Sequence, residues 1–246
     1  MSEKKQKDGL RACIFSYNHS RFFQLHASFN FSKFQRLHFA LHNQYNWAAW
    51  NGEIAFDLYG TNGLSYLVVM DTNGTVLNLR ESARTGDYNA AYFLSSDLML
   101  FQGELRIIPG NSVWLLYPAH IWNLATNTTE DFPNVLGEHD IQYDTVNNTF
   151  LTLQDYVRQI GNNQILFDNI VQFSANGTVL WIWDIYGHIP LSEASPFNET
   201  ATTGSGQTVI DFTHANSLDW DYNDSVIYLN IRNTNTFYAI NQTRAL

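Results

Sequence analysis

Three side chains within residues 211–240, DFTHANSLDWDYNDSVIYLNIRNTNTFYAI, have the chemistry of an anion site: His214, Asn216 and Arg232. Arginine offers a planar fork of donors matched to a tetrahedral oxyanion, asparagine a neutral amide, and histidine a donor that gains charge near neutral pH. Together they have the means to hold sulfate or phosphate. Spacing supports the grouping. Ala215, Leu218 and Trp220 precede the turn-forming string Asp221, Tyr222, Asn223, Asp224, and Val226, Tyr228 and Ile231 resume an extended pattern, which reads as a β-hairpin. Because the strands run back on each other, His214 and Arg232 are expected at the same end of the sheet. Taken singly, the bland readings are a satisfied structural histidine and a surface arginine.

The elements that must position these groups read as all-β. The chain has 246 residues, 45% hydrophobic and 15% aromatic, with Tyr, Phe and Trp scattered through short segments. That composition favours strands and allows one sizeable core. A hairpin is expected at 66–70 and 75–79 around the turn Asp71-Thr72-Asn73-Gly74, and the Asn-Gly punctuation recurs at Asn176-Gly177. Further strands are expected within 90–102, 113–123, 139–144, 150–153, 165–174 and 178–185. Loops are expected at 161–164 and at 192–207, the second polar, mobile and a candidate lid before the anion site. Two histidine-led units repeat a pattern, His139-x-x-x-Tyr143-Asp144 and His214-x-x-x-x-Asp219. Regularly spaced hairpins suit a sandwich, a barrel or a propeller.

The 211–240 stretch resembles the PAPS-independent arylsulfate sulfotransferases, which are β-propellers in which His-x-Asn-Ser leads into a hairpin and an arginine follows on the next strand. The matching residues are His214, Asn216, Ser217 and Arg232, and NTNTFYAI is similar to the run into the next blade. A second likeness lies at Gly137-Glu138-His139-Asp140-Ile141, ahead of a turn at Asn147 and Asn148, which makes His139 the counterpart of a sulfuryl-binding histidine. NGTVLWIWDIYGHIP, residues 176–190, resembles the blade-ending strand of these proteins. The resemblance implies a six-bladed β-propeller, about four blades of it within 41–246, preceded by a basic, aromatic extension over 1–40. It also implies sulfuryl transfer from an aryl sulfate to a phenol through a sulfated histidine, without a cofactor. His139, His214 and Arg232 would be catalytic, and these with Asn216 would bind the sulfuryl oxygens. The family's nucleophilic histidine follows the arginine-bearing strand in a later blade, so this chain is expected to be incomplete and inactive alone. Trp220, Tyr143 and Trp122 are candidates for stacking on an aryl ring, with core packing as the alternative, and His188 is read as a blade-loop residue.

A formal charge of -10 argues against nucleic acid as a partner. The lone Cys13 excludes an internal disulfide framework and a multi-cysteine metal site, and the spacing of His19, His26 and His38 fits no compact ligand motif, so no metal is expected. No apolar run is long enough to span a membrane. Nine Asn-x-Ser/Thr sequons, at Asn18, Asn30, Asn73, Asn127, Asn147, Asn176, Asn198, Asn223 and Asn241, point to an extracellular or lumenal setting. A non-catalytic propeller that binds a sulfated or carboxylated ligand is the alternative function. A glycosidase would need a close carboxylate pair, for which Asp140 and Asp211 are available.

Overall fold

A computed structural model describes residues 52–60, 63–82, 88–104, 116–194, 199–203 and 206–243. The extension over 1–40, together with Trp47 and Trp50, lies outside the described residues. Among the described residues every regular element is a β-strand except two 3₁₀ turns, at Ile185–Gly187 and Leu191–Glu193. The all-β reading therefore holds.

The chain divides into two compact units, up to Tyr92 and from Phe93 onward. In the first, β1 (Glu53–Tyr59), β2 (Ser65–Asp71) and β3 (Val76–Ser82) form an antiparallel meander, followed by β4 (Tyr88–Phe93). The β2–β3 turn is the expected one: the Asp71 carboxylate accepts the N–H groups of Asn73 and Thr75 at 2.9 and 2.7 Å, and Gly74 takes a φ of 88°. Phe56, Leu58, Tyr66 and Val68 make the core of this unit.

The second unit holds β5 (Leu98–Gly103), β6 (Tyr117–Asn123), β7 (Thr128–Asp144), β8 (Thr149–Ile160), β9 (Asn163–Ser174) and β10 (Val179–Trp183), joined as antiparallel neighbours. β11 (Thr200–Thr202) and β12 (Thr208–Asp211) follow, with β12 parallel to β9. A separate sheet of β13 (Ala215–Asp221), β14 (Val226–Ile231) and β15 (Thr236–Asn241) completes the unit. One core joins the two sheets. Leu151, Leu153, Phe167 and Ile170 of β8 and β9 pack against Ala215, Leu218, Trp220, Ile227, Leu229 and Ile231 of β13 and β14.

Three expectations are corrected. The strand expected to begin at His139 is the second half of the 17-residue β7, whose first half pairs with β6 as far as Gly137 and whose second half pairs with β8 from Glu138. The loop expected at 161–164 is a two-residue turn between β8 and β9. The loop expected at 192–207 contains the short strand β11 and a 3₁₀ turn, with 195–198 and 204–205 outside the described residues. The aromatic candidates are packing groups: Trp122 is fully buried, Trp220 nearly so, and Tyr143 stacks on Phe150.

Candidate anion site

His139 sits where β7 breaks step, and His214 immediately precedes β13, which breaks step at Asn216. The register shifts between Glu138 and Ile141 on β7 and between Ala215 and Ser217 on β13, the signature of a β-bulge. His139 and His214 take left-handed backbone angles, with φ of 55° and 49°, a conformation that costs an L residue about 1–2 kcal/mol. Strain of the same kind, repeated at two sites, brings the two imidazoles to a centroid distance of 5.7 Å. Gly137 precedes the first bulge because nothing larger fits: a Cβ there would lie 1.9 Å from Thr152 Oγ1, which donates to the Asp140 carbonyl at 2.7 Å.

The His214 segment is stitched to β9. Thr213 Oγ1 donates to Asp168 Oδ2 at 2.6 Å, Ala215 N–H donates to the same oxygen at 2.7 Å, and Asp168 N–H returns a bond to Thr213 Oγ1 at 3.0 Å. His214 Nδ1–H donates to Asp211 Oδ2 at 2.5 Å. That bond pushes the pKa of His214 above its ordinary value, so the ring keeps its charge further up the pH scale, and Nε2 is the nitrogen it does not use. His139 behaves in the opposite way. Although the residue is exposed as a whole, protein crowded around its ring thins the water there and pushes its pKa down, with the charge on His214 adding to the effect. One ring is thus favoured as cation and its neighbour as neutral base, the division of labour that acid–base work requires.

Arg232 follows β14 as the hairpin predicts, its N–H donating to the His214 carbonyl at 3.2 Å. Its guanidinium is engaged by Glu199, and its Nε donates to Asn233 Oδ1 at 3.0 Å. Asn233, buried, also holds the Asp211 carbonyl at 2.7 Å and so ties the arginine to the support of His214. The Arg232–Glu199 pair is largely solvent-exposed, and pairs of that kind contribute no more than about 1 kcal/mol. Replacing Glu199 with Gln should therefore tighten sulfate binding by at most about fivefold, read by isothermal titration. Asn216 is exposed on the second bulge, two residues past His214. His188 lies elsewhere, stacked 4.6 Å from Trp183.

The family model for arylsulfotransferase (ASST) matches residues 53–246. The chain belongs to the arylsulfotransferase family. No curated protein matches it at a significant level. The family match covers every site residue above. Among the described residues no helix is long and apolar enough to cross a membrane.

Two features of this arylsulfotransferase-family site were missed by sequence reasoning. Asp211, by sequence a candidate glycosidase carboxylate, instead serves His214 with its side chain, while Asp140 accepts the N–H groups of Ile141 and Leu218, both at 2.8 Å. The close carboxylates are instead Glu138, Asp155 and Asp168, brought together from three strands. Their signal was available: Asp155 continues the inward positions of Leu151 and Leu153 on β8, and Asp168 lies between Leu166 and Ile170 on β9, so each interrupts an apolar face.

Proposed function

We propose that this chain binds the sulfuryl group of an aryl sulfate at His139, His214, Asn216 and Arg232, and serves its transfer to a phenol. The observation that carries the reading is the convergence of the two strained histidines, one with its pKa raised by Asp211, with Arg232 in the turn after β14 donating its N–H to the His214 carbonyl, inside a chain of the arylsulfotransferase family. Charged His214 and the Arg232 fork stabilise the sulfuryl oxygens and the departing phenolate. In the first half-reaction the S–O bond to the aryl group would break as a neutral imidazole nitrogen of the family's nucleophilic histidine takes the sulfuryl group, and the phenolate would leave as phenol with the proton that imidazole gives up. A second phenol then takes the sulfuryl group and restores the histidine. Neutral His139 is suited to accept the proton of that second phenol. No nucleotide or other cofactor enters the scheme.

On this reading the hairpin sheets are blades of a six-bladed propeller. β1–β3, β5 to the first half of β7, the second half of β7 to β10, and β13–β15 supply about four of them, and β7 passes from the outer edge of one blade to the next. An extracellular or lumenal setting belongs to the same proposal. The six sequon asparagines among the described residues, at 73, 127, 147, 176, 223 and 241, are all exposed.

A chromogenic aryl sulfate with a phenol acceptor tests the activity. The expected result is saturable binding without turnover by this chain alone, acceptor-dependent release of the coloured phenol by a chain extended to carry the family's nucleophilic histidine, and a loss of at least about a hundredfold in Arg232→Ala of that extended chain. Saturable binding of the aryl sulfate without release by either this chain or the extended one would favour a binding module.

A further inference from the structure

We infer that Glu138, Asp155 and Asp168 form a binding site for a hard divalent cation of the calcium class, at the base of the histidine pair. Each residue offers a carboxylate oxygen, and the three oxygens lie within 4.8 Å of one another. That is the reach of ligands on opposite sides of a calcium ion, whose oxygen ligands sit about 2.3–2.6 Å from the metal. The donors are all oxygen, which suits a hard cation and not zinc or copper.

Two further observations point to a ligand. Glu138 is 93% buried, being 7% exposed, and its Oε1 has no hydrogen-bond partner, a condition that buried carboxylate oxygens rarely keep. Asp155 and Asp168 are direct cross-strand partners on β8 and β9, where like charges oppose pairing. A sheet that places two acids face to face and closes a third over them has to neutralise them, with protons or with a cation. One divalent ion supplies the compensation and satisfies the orphan oxygen.

The location gives the ion a role. Glu138 immediately precedes His139 at the first bulge, and Asp168 Oδ2 carries the hydroxyl of Thr213 and the N–H of Ala215 on either side of His214. A cation held by the trio therefore fixes β7, β8 and β9 together and, through Asp168, sets the backbone of both histidines. The cation acts as a positioning element, independent of whether the histidines handle a sulfuryl group.

Isothermal titration of the whole, chelator-treated chain with calcium chloride tests this, alongside thermal unfolding in calcium or in EDTA. The expected result is saturable binding of about one ion per chain, a melting temperature several degrees higher in calcium, and affinity at least tenfold weaker in Glu138→Gln and in Asp155→Asn. Circular dichroism confirms that both variants fold. Absence of calcium binding to the folded wild type, with equal melting temperatures in calcium and EDTA, would overturn the site. Binding that survives unchanged in both variants would place the ion elsewhere and overturn it equally.

Discussion

Asp211→Asn should weaken aryl sulfate binding by about tenfold to a hundredfold at pH values between the ordinary histidine value and the raised pKa of His214, and His214→Gln should do so at every pH where wild-type His214 is charged. A hydrogen bond from a charged donor contributes about 1.5–3 kcal/mol, which converts to that range. The sign follows from the raised pKa. In the wild type, binding persists from acid pH up to the elevated pKa of His214 and declines as pH rises through it. Without the Asp211 carboxylate the same decline moves down toward the ordinary histidine range, near 6.5. At pH values below the pKa of His214 in both proteins, wild type and Asp211→Asn should bind almost equally, because both carry a protonated ring. Affinity measured by titration at several pH values separates a charge effect from loss of fold, which would weaken binding at all of them.

Asp140→Ala should lower folding stability by about 3 kcal/mol, the largest stability effect expected of a single site substitution here. Its carboxylate is buried and takes the N–H of Ile141 within β7 and the N–H of Leu218 on β13. Alanine leaves both donors buried and unpaired, each costing about 1–3 kcal/mol, and cuts a bond between the two sheets of the histidine pair. Asp140 also makes stability depend on pH. Burial pushes its pKa up to about 8, against the pull of the two N–H donors. Because the folded value is raised, the contribution is complete below the unfolded value near 4 and is lost as pH rises through about 8. Denaturant midpoints should therefore fall between pH 5 and 8, and Asp140→Asn, which has no proton to lose there, should flatten that slope. Chemical unfolding monitored by tryptophan fluorescence checks both points.

What the sequence disclosed was local. The Asn-Gly and Asp-rich turns named the hairpins because turn geometry is decided by adjacent residues, and the His214–Arg232 hairpin closes in the register its spacing predicts. His139 was identified only through its neighbours in a family pattern. Its approach to His214 depends on two bulges and two left-handed residues, and no local periodicity encodes those. β7 was read short because Glu130, Asp131, Pro133 and Asn134 break the alternation just where the strand passes from one partner to the next. Asp168 and Asp155 meet Glu138 only through cross-strand register, a long-range property. The Arg232–Glu199 pair was equally hidden, since Glu199 lies in a segment read as a mobile loop.

The most direct test of the anion site is a titration of the ¹⁵N-histidine-labelled chain with aryl sulfate, followed through the imidazole resonances by NMR. If His139 and His214 hold the sulfuryl group, their signals move together, saturate with one dissociation constant, and stay still in Arg232→Ala, while that of His188 is unaffected. Movement of His188 with the signals of His139 and His214 unchanged would place the anion elsewhere and contradict the site.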